Sequence, residues 1–141
     1  MNPIRAEAIF RPVCFLALWT LSVLLLTGVR RIRAVRAGRV KRGAFRMGES
    51  ADVPEDVAIV NRNLMNLLEV PLLFYVVCLC LYVTHQVRPG LLMLAWVYAA
   101  LRVLHTLIHV TTNNIMHRLL VFGISNFVLA TIWIRFLARM V

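Results

Sequence analysis

The sequence predicts an all-α integral membrane protein built as a four-helix transmembrane bundle. Of its 141 residues, 61% are hydrophobic and the mean hydropathy is +0.80. A soluble domain is only about half apolar. Four apolar stretches recur, at residues 12–29, 57–83, 91–110 and 119–137, against the roughly 20 residues of helix needed to cross a bilayer. A connector as short as His85 to Gly90 joins only antiparallel neighbours. By length the chain is one domain, residues 1–141.

The first helix is expected over residues 12–36. Its apolar region is long, no small-residue cleavage site follows, and its strongest positive flank is C-terminal. It therefore reads as a retained helix and not as a signal peptide. It leaves the membrane near Gly28 and continues through Arg30 to Arg36, after which Gly38, Gly43 and Gly48 suggest a flexible connector. Asp52, Pro54, Glu55 and Asp56 form a start signal, because proline is tolerated in a first turn and carboxylates suit the positive end of the dipole. The second helix then spans residues 54–84, with a kink at Pro71. Pro89 and Gly90 punctuate a tight turn, and the third helix covers residues 90–112. Asn113 and Asn114 connect it to the fourth, residues 115–138. That helix carries Arg118 in its first turn, where a cation opposes the dipole, so local stability does not explain it.

The net charge is +10, which could suggest nucleic acid, but its placement argues against such a partner. Eight of the sixteen Lys and Arg residues fall in one loop: Arg30, Arg31, Arg33, Arg36, Arg39, Lys41, Arg42 and Arg46. The positive-inside rule puts the basic loop, residues 30–56, in the cytoplasm and both termini on the opposite side. Arg5, Arg11, Arg88, Arg135 and Arg139 on the far side make the bias less than absolute. Anionic lipid headgroups would attract the loop. Cys14, Cys78 and Cys80 lie in apolar runs with neither metal-ligand spacing nor a disulfide framework, and are expected to be buried packing thiols.

Polar groups inside the spans are the functional signal. Arg62, Asn66 and Glu69 lie at i, i+4 and i+7; Arg102, His105 and His109 lie at i, i+3 and i+7. Each trio covers roughly a 60° arc of its helix. A charge at mid-membrane costs about 2.5–3.5 kcal/mol on insertion scales, so several on defined faces point to a polar pocket inside a bundle. Arg62, Arg102 and Arg118 outnumber the single intramembrane carboxylate, Glu69, so the pocket is net cationic. It suits carboxylates, which arginine holds through paired hydrogen bonds, while Glu69 would hold an amine. Arg62 and Glu69 also admit a plainer reading as a charge pair that makes burial tolerable, linked through Asn66. Trp19, Trp96, Trp133 and the methionines read as packing and interface residues.

These residues resemble the membrane-associated proteins in eicosanoid and glutathione metabolism, the MAPEG family. "RNLMNLLEVP" supplies the second-helix signature as Arg62, Asn66, Glu69 and Pro71. "LRVLHTLIH" supplies the third-helix Arg102 and His105, with His109 at the usual tyrosine position. Arg118 resembles the arginine that begins the family's fourth helix. "TGVRRIR" makes Arg31 a candidate at the neighbouring subunit's edge. Pro71 follows Glu69 more closely than in the eicosanoid enzymes. The stretches "NLLEVPLLFY" and "HTLIHVTTNNIMHR" are more like uncharacterised bacterial members, which suggests a bacterial inner membrane.

The resemblance implies a homotrimer with glutathione, a bound thiol co-substrate, in clefts between subunits. Arg31, Arg62, Asn66, Glu69, Arg102, His105 and His109 would bind it. Arg118 would be catalytic, holding the thiolate that attacks a lipophilic electrophile or peroxide arriving from the bilayer, as in a transferase or peroxidase. Two alternatives remain at this point. One is a non-catalytic MAPEG-like protein that binds lipid or a partner. The other is a small proton-coupled exporter, although three pocket arginines would repel cationic cargo.

Overall fold

A computed structural model describes residues 5–46, 50 and 52–140; Gly48 of the expected connector, Met1 and Val141 lie outside the described residues. Its helices are α1 (Phe10–Arg36), α2 (Glu55–Glu69), α3 (Pro71–Val83), α4 (Pro89–Val110) and α5 (Ile115–Leu137), with short 3-10 turns at Ala6–Ile9 and Arg42–Phe45. There is no strand among the described residues. Four helical segments are long and apolar enough to cross a membrane: Ala6–Arg36, Glu55–Val83, Pro89–Val110 and Ile115–Leu137. The protein is a multi-pass integral membrane helical bundle.

Proline chemistry explains the divided second span. Pro71 has no N–H to give to the carbonyl one turn back, so α2 ends at Glu69 and α3 begins at Pro71. Val70 between them keeps right-handed helical angles, φ −69° and ψ −39°. The two pieces therefore read as one crossing of 29 residues. α3 ends where His85 takes φ +56° and the Gln86 N–H reaches back to the Leu81 carbonyl at 2.9 Å.

The core joins Leu16 and Val23 of α1, Leu64 and Leu67 of α2, Phe74 and Leu81 of α3, Tyr98 of α4, and Leu129 and Ile132 of α5. Phe74 stacks on Tyr98 with ring centroids 4.6 Å apart. α4 packs most extensively against α5, and α1 against α2. Leu18, Leu25, Phe127 and Ile134 point outward, as expected where the surrounding solvent is acyl chain. Lipid removes the hydrophobic drive between helices, leaving dispersion and polar contacts to hold them. Hydroxyls of Thr20, Thr27 and Thr131 donate to carbonyls four residues back, so none needs a partner in lipid.

A second cluster, Ala34, Val40, Val53, Val57 and Ala58, packs under the basic loop, and Arg39 Nη1 meets Asp56 Oδ1 at 3.0 Å. The thiols depart from expectation at one position: Cys78 is buried and Cys80 half-buried, but Cys14 is exposed. On a membrane helix an outward thiol meets lipid, so an apolar run does not imply burial inside the protein.

Candidate functional site

α2, α4 and α5 come together around Arg118. Asn66, His105, Ile115, Arg118, Leu119 and Phe122 line a cleft of about 230 Å³. Small-molecule pockets usually begin near 300 Å³, so this cleft lies just below the small end of that range.

Two adjacent asparagines build the corner that presents Arg118. Asn113 adopts φ +46°, a left-handed conformation asparagine tolerates better than most residues. Its N–H donates to the Ile108 carbonyl at 2.8 Å, closing the end of α4. The Asn114 side chain accepts from the N–H groups of Met116 at 3.0 Å and His117 at 3.1 Å, an N-cap that starts α5. Arg118 follows within the first turn. Its Nη1 donates to Asn113 Oδ1 at 3.0 Å and lies 3.3 Å from His109 Nε2.

On α4, where His105 reaches the cleft, Arg102, His105 and His109 are 0%, 2% and 2% exposed. Arg102 Nε donates to the Tyr98 hydroxyl at 3.0 Å, and Nη2 to Asn126 Oδ1 at 2.7 Å. Its guanidinium carbon stands 5.2 Å from the Tyr98 ring centroid and 5.0 Å from that of Phe122. Two aromatic faces and two oxygen acceptors thus hold a buried cation, leaving Nη1 as its donor without a partner. The His105 and His109 rings meet edge to face at 5.7 Å. Arg102 and Arg118 are the cations acting on His105, and Arg118 and Arg62 those acting on His109. None of these partners is acidic, so the cleft wall is positive.

The α2 trio divides. Asn66 reaches the cleft, whereas Arg62 and Glu69 are exposed on the subunit surface. No hydrogen bond joins the three among the described residues, so the charge pair bridged by Asn66 does not form within one chain. The expected pocket is therefore not enclosed in a single bundle: the α4 trio faces the core, while two of the α2 charges face outward. Arg31 lines a different cleft of about 450 Å³ with Ile32, Val35, Arg36, Arg42 and Phe45. Its Nη2 donates to Asn61 Oδ1 at 2.8 Å, and its guanidinium carbon lies 5.1 Å from the Phe45 ring centroid.

The sequence matches the MAPEG family over residues 9–138, nearly the whole chain. The chain belongs to the MAPEG family. No curated protein and no solved structure matches it. The MAPEG match contains both polar trios, Arg31 and Arg118, so the Arg118 cleft lies within the matched residues.

Several polar residues of this MAPEG chain escape the spacing argument. Tyr98 and Asn126 hold Arg102, and Asn113 holds Arg118. Tyr98 stands four residues before Arg102, one turn away on the same face, a signal the sequence did contain. Asn126 and Asn113 come from other elements, and no periodicity on α4 could have marked them. Asn63 is fully buried, and neither amide atom of its side chain has a hydrogen-bond partner among the described residues.

Proposed function

We propose that this MAPEG-family protein binds glutathione and activates its thiol for attack on a lipophilic electrophile or peroxide. The observation that carries the proposal is Arg118, standing at the positive end of α5 on the wall of a cleft shared with Asn66 and His105. Helix dipole and guanidinium favour an anion at the same place. A thiol bound there ionises below the free cysteine value of about 8.5. The thiolate then forms an S–C bond as the electrophile loses its leaving group or opens a π bond. With a peroxide it forms an S–O bond as the O–O bond breaks to release an alcohol, the resulting sulfenic acid being reduced by a second glutathione. Asn66, His105 and His109 flank that position. Arg102 lies behind it, with Nη1 as the donor it has to offer.

Arg62 and Glu69, exposed on an apolar span, complete the reading. Charges facing lipid are costly, and a neighbouring copy would cover them. In the proposed homotrimer, Arg62 takes a glutathione carboxylate, Glu69 takes the amine, and Arg31 closes the edge of the cleft. Titration of the purified protein with glutathione in a calorimeter tests this reading. Saturable binding near one glutathione per subunit interface, with turnover of an electrophile, is expected. Binding of lipid without thiol-dependent turnover would favour the non-catalytic alternative.

The proposed orientation in a bacterial inner membrane places residues 30–56 in the cytoplasm. Single cysteines at Ser50 and Arg88, both exposed, can be tested in a background lacking Cys14, Cys78 and Cys80. A membrane-impermeant thiol reagent on intact cells is expected to label position 88 and spare position 50. The reverse pattern overturns the orientation.

A further inference from the structure

We propose that Asn113 and His109 are positioning residues that clamp one nitrogen of Arg118, so that its other donors face the cleft. The inference deepens the thiol-activating reading above and rests on it.

A guanidinium carries five hydrogens and no acceptor. Nη1 has two of them. One goes to Asn113 Oδ1 at 3.0 Å, and His109 Nε2, 3.3 Å away, lies within reach of the other. Arginine stays protonated in proteins and only donates, so the histidine nitrogen must accept. The clamp thus requires His109 to be a neutral ring with its proton on Nδ1. With Nη1 committed, Nε and Nη2 remain for an anion in the cleft.

The two acceptors come from different parts of the corner. His109 is on the last turn of α4, 2% exposed, so packing fixes its ring. Asn113 is held by its own backbone: its N–H caps α4 through the Ile108 carbonyl at 2.8 Å while its side chain reaches into α5. Arg118 is thereby tied to the end of the preceding helix. An arginine on a helix surface otherwise samples many rotamers, and ordering it on ligand binding costs free energy. The clamp meets that cost during folding. It also gives a role to histidine at the position where the resemblance led to expect tyrosine.

Three variants test the clamp. Asn113→Gly removes the acceptor and keeps the left-handed backbone, which glycine adopts freely. His109→Phe removes the other acceptor, and His109→Gln restores one through its amide oxygen. The thiolate absorbance of bound glutathione is read against pH, and binding affinity is read separately. Asn113→Gly and His109→Phe are each expected to raise the apparent pKa of the bound thiol by about one unit, a roughly tenfold loss of thiolate below that pKa. For Asn113→Gly, affinity is expected to change less than about threefold, an energy below 1 kcal/mol, whereas His109→Phe also loses a ring that flanks the ligand, so its affinity is read only to normalise the thiolate signal. His109→Gln is expected to recover most of the signal. Without any thiol present, Arg118 in Asn113→Gly is expected to react faster with phenylglyoxal, read on the Arg118 peptide by mass spectrometry. A wild-type thiolate signal that persists unchanged in both acceptor-deleted variants overturns the clamp. If wild-type protein shows no thiolate, the thiol-activating reading fails instead, and the phenylglyoxal rates still decide whether the clamp exists.

Discussion

Replacing Arg118 by methionine is expected to lower thiol-transfer turnover by roughly 10²–10³-fold, the loss typical when one preorganised donor to a developing or bound anion is removed. Methionine keeps much of the length and volume, so the cleft wall of Ile115, Leu119 and Phe122 stays packed. What disappears is the cation at the positive end of α5, together with the donors left free by Asn113 and His109. Binding is expected to fall less than tenfold, because the proposed carboxylate and amine contacts belong to Arg62 and Glu69. Turnover and affinity therefore separate in this variant: kcat falls far more than Kd rises. Steady-state kinetics with an electrophile, alongside a binding titration, checks the separation. Full turnover in Arg118→Met would remove Arg118 from the mechanism.

Arg62→Ala and Glu69→Gln show the opposite separation. Each is expected to weaken glutathione binding by about 1.5–3 kcal/mol, the range for hydrogen bonds to charged groups, equivalent to roughly 10- to 150-fold in Kd. Both residues are exposed in the single subunit, and among the described residues no hydrogen bond ties either to Asn66. Removing them leaves the core of α2, formed by Val60, Leu64 and Leu67, unchanged. The variants are therefore expected to insert and to run at the wild-type size in detergent. If both aggregate or dissociate while Asn66→Ala behaves normally, the two charges hold subunits together and do not serve the ligand.

The four spans were legible in the sequence because bilayer thickness and hydropathy leave few alternatives for apolar runs of this length. Pro71 was legible for the same kind of reason, since a missing N–H acts locally. The α4 trio was legible as a face, and Arg102, His105 and His109 do share a buried one. What the sequence could not show is which way a polar face points. Helical spacing puts Arg62, Asn66 and Glu69 on one arc, but only packing reveals that Asn66 meets a cleft while its neighbours stay outside. Nor could spacing show that Arg102 is enclosed by Tyr98, Phe122 and Asn126. Those contacts cross from α4 to α5, and Asn113 hid in what read only as a connector.

The thiolate itself gives the most direct test of the central claim. Glutathione added to purified wild-type protein at neutral pH is expected to produce an ultraviolet difference band from ionised thiol, saturating with the same midpoint as binding, although free thiols near pKa 8.5 are mostly protonated there. Binding with no thiolate band at neutral pH, or no binding at all, contradicts the account.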